Sequence, residues 1–146
     1  PTECERLQGY PDGWTDLGEW TDSKGKPHKD ADTPRYKALG NSIALPFWDW
    51  MLRRMARYLP EGATLGSLFD GIAGFPLIWE RIHGRGTARW ASEIEPFPIL
   101  VSKIRFPRME QMGDITKLNG AYLPPVDIIC GGSPCQDSAW PECAPD

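Results

Sequence analysis

Cys135 stands just past an apolar run, Val126 to Gly132, in the order Ser133-Pro134-Cys135-Gln136. An almost wholly apolar run of this length reads as a buried parallel strand. A cysteine beyond the carboxyl end of such a strand lies on the ligand edge of the sheet. A thiolate there can act as a nucleophile, and Pro134 stiffens the loop that presents it. Cys130, inside the run, reads as core packing.

Two further clusters could hold a ligand. The turn Phe69-Asp70-Gly71-Ile72-Ala73-Gly74 follows one apolar run and opens another. Small residues there let a ligand approach the backbone, and the following helix N-terminus favours a negative group. A plain tight connection explains the same glycines. Glu93 ends the next run, about twenty residues on, where an acid in nucleotide-type folds accepts hydrogen bonds from ribose hydroxyls; a solvated glutamate is the bland alternative. Gly113-Asp114-Ile115-Thr116 precedes the third run. Asp114 could accept from an adenine amino group while Ile115 packs on the ring, or Asp114 could simply cap a turn. Glycine turn and acid together point to an adenosine-containing cofactor, and residue chemistry leaves open whether it is a dinucleotide or S-adenosylmethionine.

These groups need a frame. From residue 64 the pattern repeats strand, turn and helix: TLGSLFD, GIAGF and PLIWERIHG; then TARWASE and PFPILVSKIRF; then VDIICGG. Alternation of this kind predicts an open α/β sheet, mostly parallel, with helices on both faces. Upstream, residues 46–59 read as an amphipathic helix with Pro46 in its first turn. Its stripe of Phe47, Trp50, Met51, Met55, Tyr58 and Leu59 reads as core. Residues 1–34 are polar and turn-rich, with an exposed charged loop from Asp22 to Asp32, and are expected to be the least ordered. The chain thus divides into a segment 1–34 and a core 35–146.

Composition narrows the function. The net charge is −4, without the dense basic run of a protein that grips duplex DNA by itself. The cluster Arg53, Arg54 and Arg57 falls on the helix that reads as mostly buried. The four cysteines make no CxxC pair and have only two histidines to join them, so neither a zinc site nor a disulfide scaffold is expected. Neither a signal peptide nor an apolar run of about 18 residues is evident, so membrane insertion is not expected.

SLFDGIAGF, ASEIE, GDIT and GGSPCQ, in this order and spacing, resemble the first four motifs of the DNA cytosine-5 methyltransferases. Pro134-Cys135-Gln136 is the most specific of them, and the likeness covers roughly residues 64–137. TECERLQGYPDGW resembles the ninth motif of that family and TPRYKALGNSIALP its tenth. These two motifs normally come last. Here they come first, which is the order of a circular permutation joined through a linker at Pro60 to Ala63. Such joints are tolerated at surface positions.

The resemblance implies a Rossmann-like S-adenosylmethionine-dependent methyltransferase fold, incomplete in extent. Phe69, Gly71, Ile72, Gly74 and Pro134 would line the cofactor pocket. Glu93 would bind the ribose, Ile94, Asp114 and Ile115 the adenine, and Asn41 and Ser42 would close the pocket. Cys135 would attack carbon 6 of a cytosine flipped out of double-stranded DNA. The implied setting is a bacterial or phage-encoded cytoplasmic enzyme of restriction-modification type, without a metal. The Glu-Asn-Val of the sixth motif, the Gln-x-Arg-x-Arg of the eighth and a target-recognition domain do not occur in these residues. Opening on Pro1 rather than methionine, the sequence is expected to be a piece of a longer protein, with the missing motifs on a continuation or a second chain. A non-catalytic cofactor-binding remnant is the alternative. A dehydrogenase-like protein is disfavoured, because the turn reads G-x-x-G and not G-x-G-x-x-G. Loss of a general acid–base group typically costs about 10²–10⁴-fold in rate, so residues 1–146 alone are expected not to methylate DNA. Transfer of labelled methyl groups to duplex DNA by the purified chain measures this, and robust transfer would refute it.

Overall fold

The computed structural model describes residues 1–22, 24–29 and 32–133. Its centre is a four-stranded sheet of β3 (Leu65–Leu68), β4 (Ala88–Ser92), β5 (Glu110–Gln111) and β6 (Ile128–Gly131), in the order β5-β4-β3-β6 with every pair parallel. Parallel neighbours need crossovers, and two are helices: α4 (Gly74–His83) between β3 and β4, and α5 (Pro96–Arg105) between β4 and β5. Both crossovers step in the same direction along the sheet, so the right-handed rule places α4 and α5 on one face. The connection from β5 back to β6 carries two 3₁₀ turns, Ile115–Lys117 and Gly120–Tyr122. Its Pro124 carbonyl accepts from the Trp90 indole at 2.9 Å.

Upstream lie α1 (Thr2–Gln8), a short antiparallel pair β1 (Trp20–Thr21) and β2 (Pro27–His28), α2 (Asp32–Gly40) and α3 (Leu45–Met55). Residues 5–15 are not the loose end that their polarity suggested. Glu5 and Thr15 are fully buried. The Glu5 carboxylate accepts from the Gly13 and Thr15 N–H groups and the Thr15 hydroxyl at 2.7, 2.8 and 2.5 Å, with Arg35 at 3.3 Å. Burial pushes that carboxyl up, but the Thr15, Gly13 and Arg35 bonds outweigh it and hold the group below its usual range. Removing one partner of a buried pair costs several kcal/mol, so this network pins residues 5–15 to α2. Polarity misled here because the polar groups satisfy one another.

Two apolar stripes were expected to be buried and are so only in part. On α3 the inward positions are Leu45, Trp48 and Leu52, with Trp48 edge-on to Phe75 of α4 at 5.1 Å. Phe47, Trp50 and Tyr58 of the expected core stripe are 59%, 54% and 89% exposed. The sequence offers two apolar faces at helical spacing, and the one that meets α4 is buried. The arginines predicted to lie on a buried helix are exposed as well: Arg54 stacks 3.6 Å above Trp50, and Arg53 pairs with Asp49 at 2.7 Å. α3 rests on α4, and the turn Pro60 to Ala63 carries the chain on into β3. β6, read as a buried strand, pairs only with β3 among the described residues, and Ile129 is 58% exposed.

Gly66 is where the sheet tolerates no side chain. A Cβ there would collide with the Trp90 ring, which is itself buried. Gly66→Ala is therefore expected to cost about 1–3 kcal/mol, the range for overpacking a rigid core. Urea denaturation checks it; a shift of the midpoint within error of zero would show that Trp90 swings away freely.

Candidate functional site

The carboxyl ends of β3 and β4 and the turn after β5 converge. After β3 the chain makes a turn in which Phe69, Gly71 and Ala73 have φ of 52°, 59° and 62°. A positive φ at a non-glycine residue is strained and tends to persist at ligand sites. The strain is held by bonds from outside the turn. The Gly71 N–H donates to Glu93 at 2.7 Å, and the Asp70 N–H to the Ser92 carbonyl at 3.0 Å. The second oxygen of Glu93 accepts from the Ile94 and Glu95 N–H groups at 2.7 and 3.0 Å. The Ser92 hydroxyl donates to the Gly113 carbonyl at 2.6 Å, tying in the third turn.

Space remains around these groups. A Cβ at Gly71 or Gly113 would meet nothing within 4 Å. Phe69 is 37% and Ile94 67% exposed, so two apolar surfaces border the open glycines. A carboxylate has about four acceptor sites, and Glu93 uses three for backbone donors, leaving one for a further hydroxyl. Asp114 caps the 3₁₀ turn, accepting from the Thr116 N–H at 2.9 Å and the Thr116 hydroxyl at 2.8 Å. Those bonds hold its carboxyl below the usual range. Ile115 follows it, half-buried.

Other predicted site residues support the turn. Ile72 is fully buried, and its carbonyl accepts from the Trp14 indole at 2.8 Å. Gly74 serves packing: a Cβ there would lie 2.5 Å from the Tyr10 hydroxyl and 3.2 Å from Ile43 and Leu45. Ser42 shares a hydrogen bond with that Tyr10 hydroxyl at 2.5 Å, while neighbouring Asn41 is exposed. Tyr10 and Trp14 thus brace the turn from the N-terminal segment. They escaped the sequence reading because only the fold brings them within reach of residues about sixty positions away. Pro134 and Cys135 lie outside the described residues. Cys130 is half-buried, and burial pushes its thiol up to about 12, so it stays protonated and packs as expected.

Residues 63–139 match the family model for C-5 cytosine-specific DNA methylase, more than half of the chain. The chain belongs to this family. Its members use S-adenosylmethionine as methyl donor. Type II methyltransferase M.MspI of Moraxella sp is 39% identical over 70 residues, covering 48% of this chain and 16% of that protein. DNA (cytosine-5)-methyltransferase DRM1 of Arabidopsis thaliana is 26% identical over 150 residues, covering 94% of this chain and 22% of that protein. A DNA N-6-adenine-methyltransferase of Escherichia phage P1 is 37% identical over 78 residues, covering 39% of this chain and 10% of that protein. The chain therefore spans a quarter or less of each of these relatives. Among the described residues no cluster could hold a metal ion, and no helix is long and apolar enough to cross a membrane.

Within this methylase turn Asp70 is 7% exposed, and one oxygen of its carboxylate accepts from the Ser102 hydroxyl at 3.0 Å. Its other oxygen has no partner. Burial, only partly offset by the Ser67 and Ser102 hydroxyls, pushes its carboxyl up to about 7. A group whose folded pKa is raised stabilises the fold only while it is protonated. Asp70 therefore costs stability as pH climbs from about 4 to about 7. Asp70→Asn, which keeps the neutral shape, is expected to remove that decline and to raise stability above pH 7 by on the order of 3 kcal/mol. Denaturation midpoints across pH measure this; equal pH slopes for both proteins would show Asp70 to be solvated.

Proposed function

We propose that this chain is the cofactor-binding and nucleophile-bearing part of a DNA cytosine-5 methyltransferase, with its ninth and tenth motifs placed ahead of the first. One observation carries the reading. The Glu93 carboxylate, the open Gly71 and Gly113 and the exposed Phe69 and Ile94 gather at one end of adjacent parallel strands. That donor set fits an adenosine group with an attached sulfonium. Glu93 accepts a ribose hydroxyl, Phe69 and Ile94 border the base, and Asp114 and Ile115 approach its edge. S-adenosylmethionine supplies an electrophilic methyl group when bound there.

The protein's own residues do the rest. Cys135, four residues past the end of β6, adds as a thiolate to carbon 6 of a flipped cytosine, which makes carbon 5 nucleophilic. After methylation at carbon 5, loss of its proton to a base expels the thiolate and restores the ring. Cys130 is unsuited to this role because its thiol stays protonated. Two facts support the permuted order. Trp14 and Tyr10 pack on the turn after β3, and the turn Pro60 to Ala63 joins α3 to β3 over a few residues. The DRM1 alignment also runs through both zones, covering 94% of this chain. Double-stranded DNA is the substrate on this reading.

A second reading, a cofactor-binding half that needs further residues or another chain to methylate, is favoured by the open edge of β6 with Ile129 exposed. Calorimetric titration of the chain with S-adenosylmethionine tests what both readings share. Glu93→Ala is expected to weaken binding by about 10–100-fold, the worth of charge-assisted hydrogen bonds. A folded chain that binds no cofactor, or binds it equally well without Glu93, would sink the reading.

A further inference from the structure

Two adjoining grooves of about 430 and 450 Å³ lie at the other end of the same strands. They share Arg85, Gly86 and Arg108, and the second adds Arg89, Glu110 and Pro124. Arg85 lies in the turn before β4, Arg89 is its second residue, and Arg108 precedes β5. All three therefore sit at the amino ends of strands whose carboxyl ends carry the cofactor turns. Arg89 and Glu93 are four residues apart along β4, about 13 Å at the rise of an extended strand.

Two other charged residues, Arg105 and Glu80, line the first groove and are already occupied. Arg105 donates to the Trp14 and Gly13 carbonyls at 2.9 and 2.5 Å, and Glu80 accepts from the Gly86 N–H at 2.8 Å. Arg85, Arg89 and Arg108 are exposed and form no ion pair among the described residues. Only Glu110 among the lining residues offsets them with a carboxylate not already bonded to backbone. Three unpaired guanidinium groups on a chain of net charge −4 are a local reversal of sign. The planar fork of arginine matches phosphate oxygens two at a time. Two grooves joined through shared arginines form a track, which suits a chain of anionic groups better than a single ion.

We propose that Arg85, Arg89 and Arg108 form a second binding site that takes successive phosphates of a DNA backbone, on the sheet edge opposite the cofactor turns. The choice of DNA rests on the methyltransferase reading. The strand held there is not the one presenting the target base, because the reacting edge is a strand length away. It tethers the protein to a flanking or second DNA segment without reading its sequence.

The test is fluorescence anisotropy of the full chain with a labelled duplex of arbitrary sequence across a salt series. Arg85→Gln/Arg108→Gln is compared with the unmodified protein, and Arg85→Glu/Arg108→Glu with both. The first variant is expected to flatten the slope of log affinity against log salt by about two, one for each lost phosphate contact. Charge reversal is expected to abolish binding. Thermal unfolding and the S-adenosylmethionine titration are expected to stay unchanged in both variants. An unchanged slope in a folded variant overturns the proposal. So does a parent chain that captures inorganic phosphate but no duplex. Failure of the parent chain to bind S-adenosylmethionine would instead strike at the methyltransferase reading, and the salt slope would still decide this site.

Discussion

The carboxylate of Glu93 is the acceptor on which the ligand edge depends. It sits at the end of β4 yet takes the N–H of Gly71, from the turn after β3, and those of Ile94 and Glu95. A turn with three residues at positive φ would relax if its donors faced only solvent. Here the donors point to fixed acceptors on the neighbouring strand, so the sheet's register sets the shape of the turn. The same register brings Ser92 to Gly113. Three loops from separate stretches of sequence are thereby locked into one surface before any ligand arrives.

A second buried carboxylate does comparable work on the other flank. Glu5, saturated by Thr15, Gly13 and Arg35, turns a polar N-terminal segment into a rigid brace. From that brace Trp14 reaches the Ile72 carbonyl, and the Tyr10 hydroxyl fills the space that Gly74 leaves open. The invading residues are large and the invaded one is glycine, which is how close approach between two chain segments is usually built. The brace precedes in the chain the turn that it supports, and only a short turn at Pro60 to Ala63 is needed to join α3 to β3.

Much of this was legible in the residues. Strand period, terminal glycines and the positions of Phe69 to Gly74, Glu93 and Asp114 were enough to predict the strands β3, β4 and β6, the helices between them and the convergence of three turns at one end of the sheet. What stayed hidden shares one cause: it depends on which surfaces meet. The helix from Leu45 has apolar residues on two faces, and only contact with Phe75 decides that Trp48 goes in and Trp50 stays out. Val126 to Gly132 reads the same whether flanked by one strand or two. Glu5 and Arg35 are thirty positions apart, so neither advertises the other. Arg85, Arg89 and Arg108 come from two separate stretches of sequence and leave no run of charge to see.

The parallel pairing of β3 with β6 has a consequence for how the chain folds. Thr64 and Asp127 clasp the start of both strands through reciprocal hydrogen bonds across 63 positions of sequence. Closing so long a loop is entropically slow to repay, whereas β3, α4 and β4 assemble from neighbours. The turns after β3 and β4 therefore form early, and β6 docks late onto an edge already built. In the native ensemble the same asymmetry makes that strand the first to part, so amide protons of β6 should exchange before those of β4. Assembly of β3, α4 and β4 and seating of β6 are separate folding events.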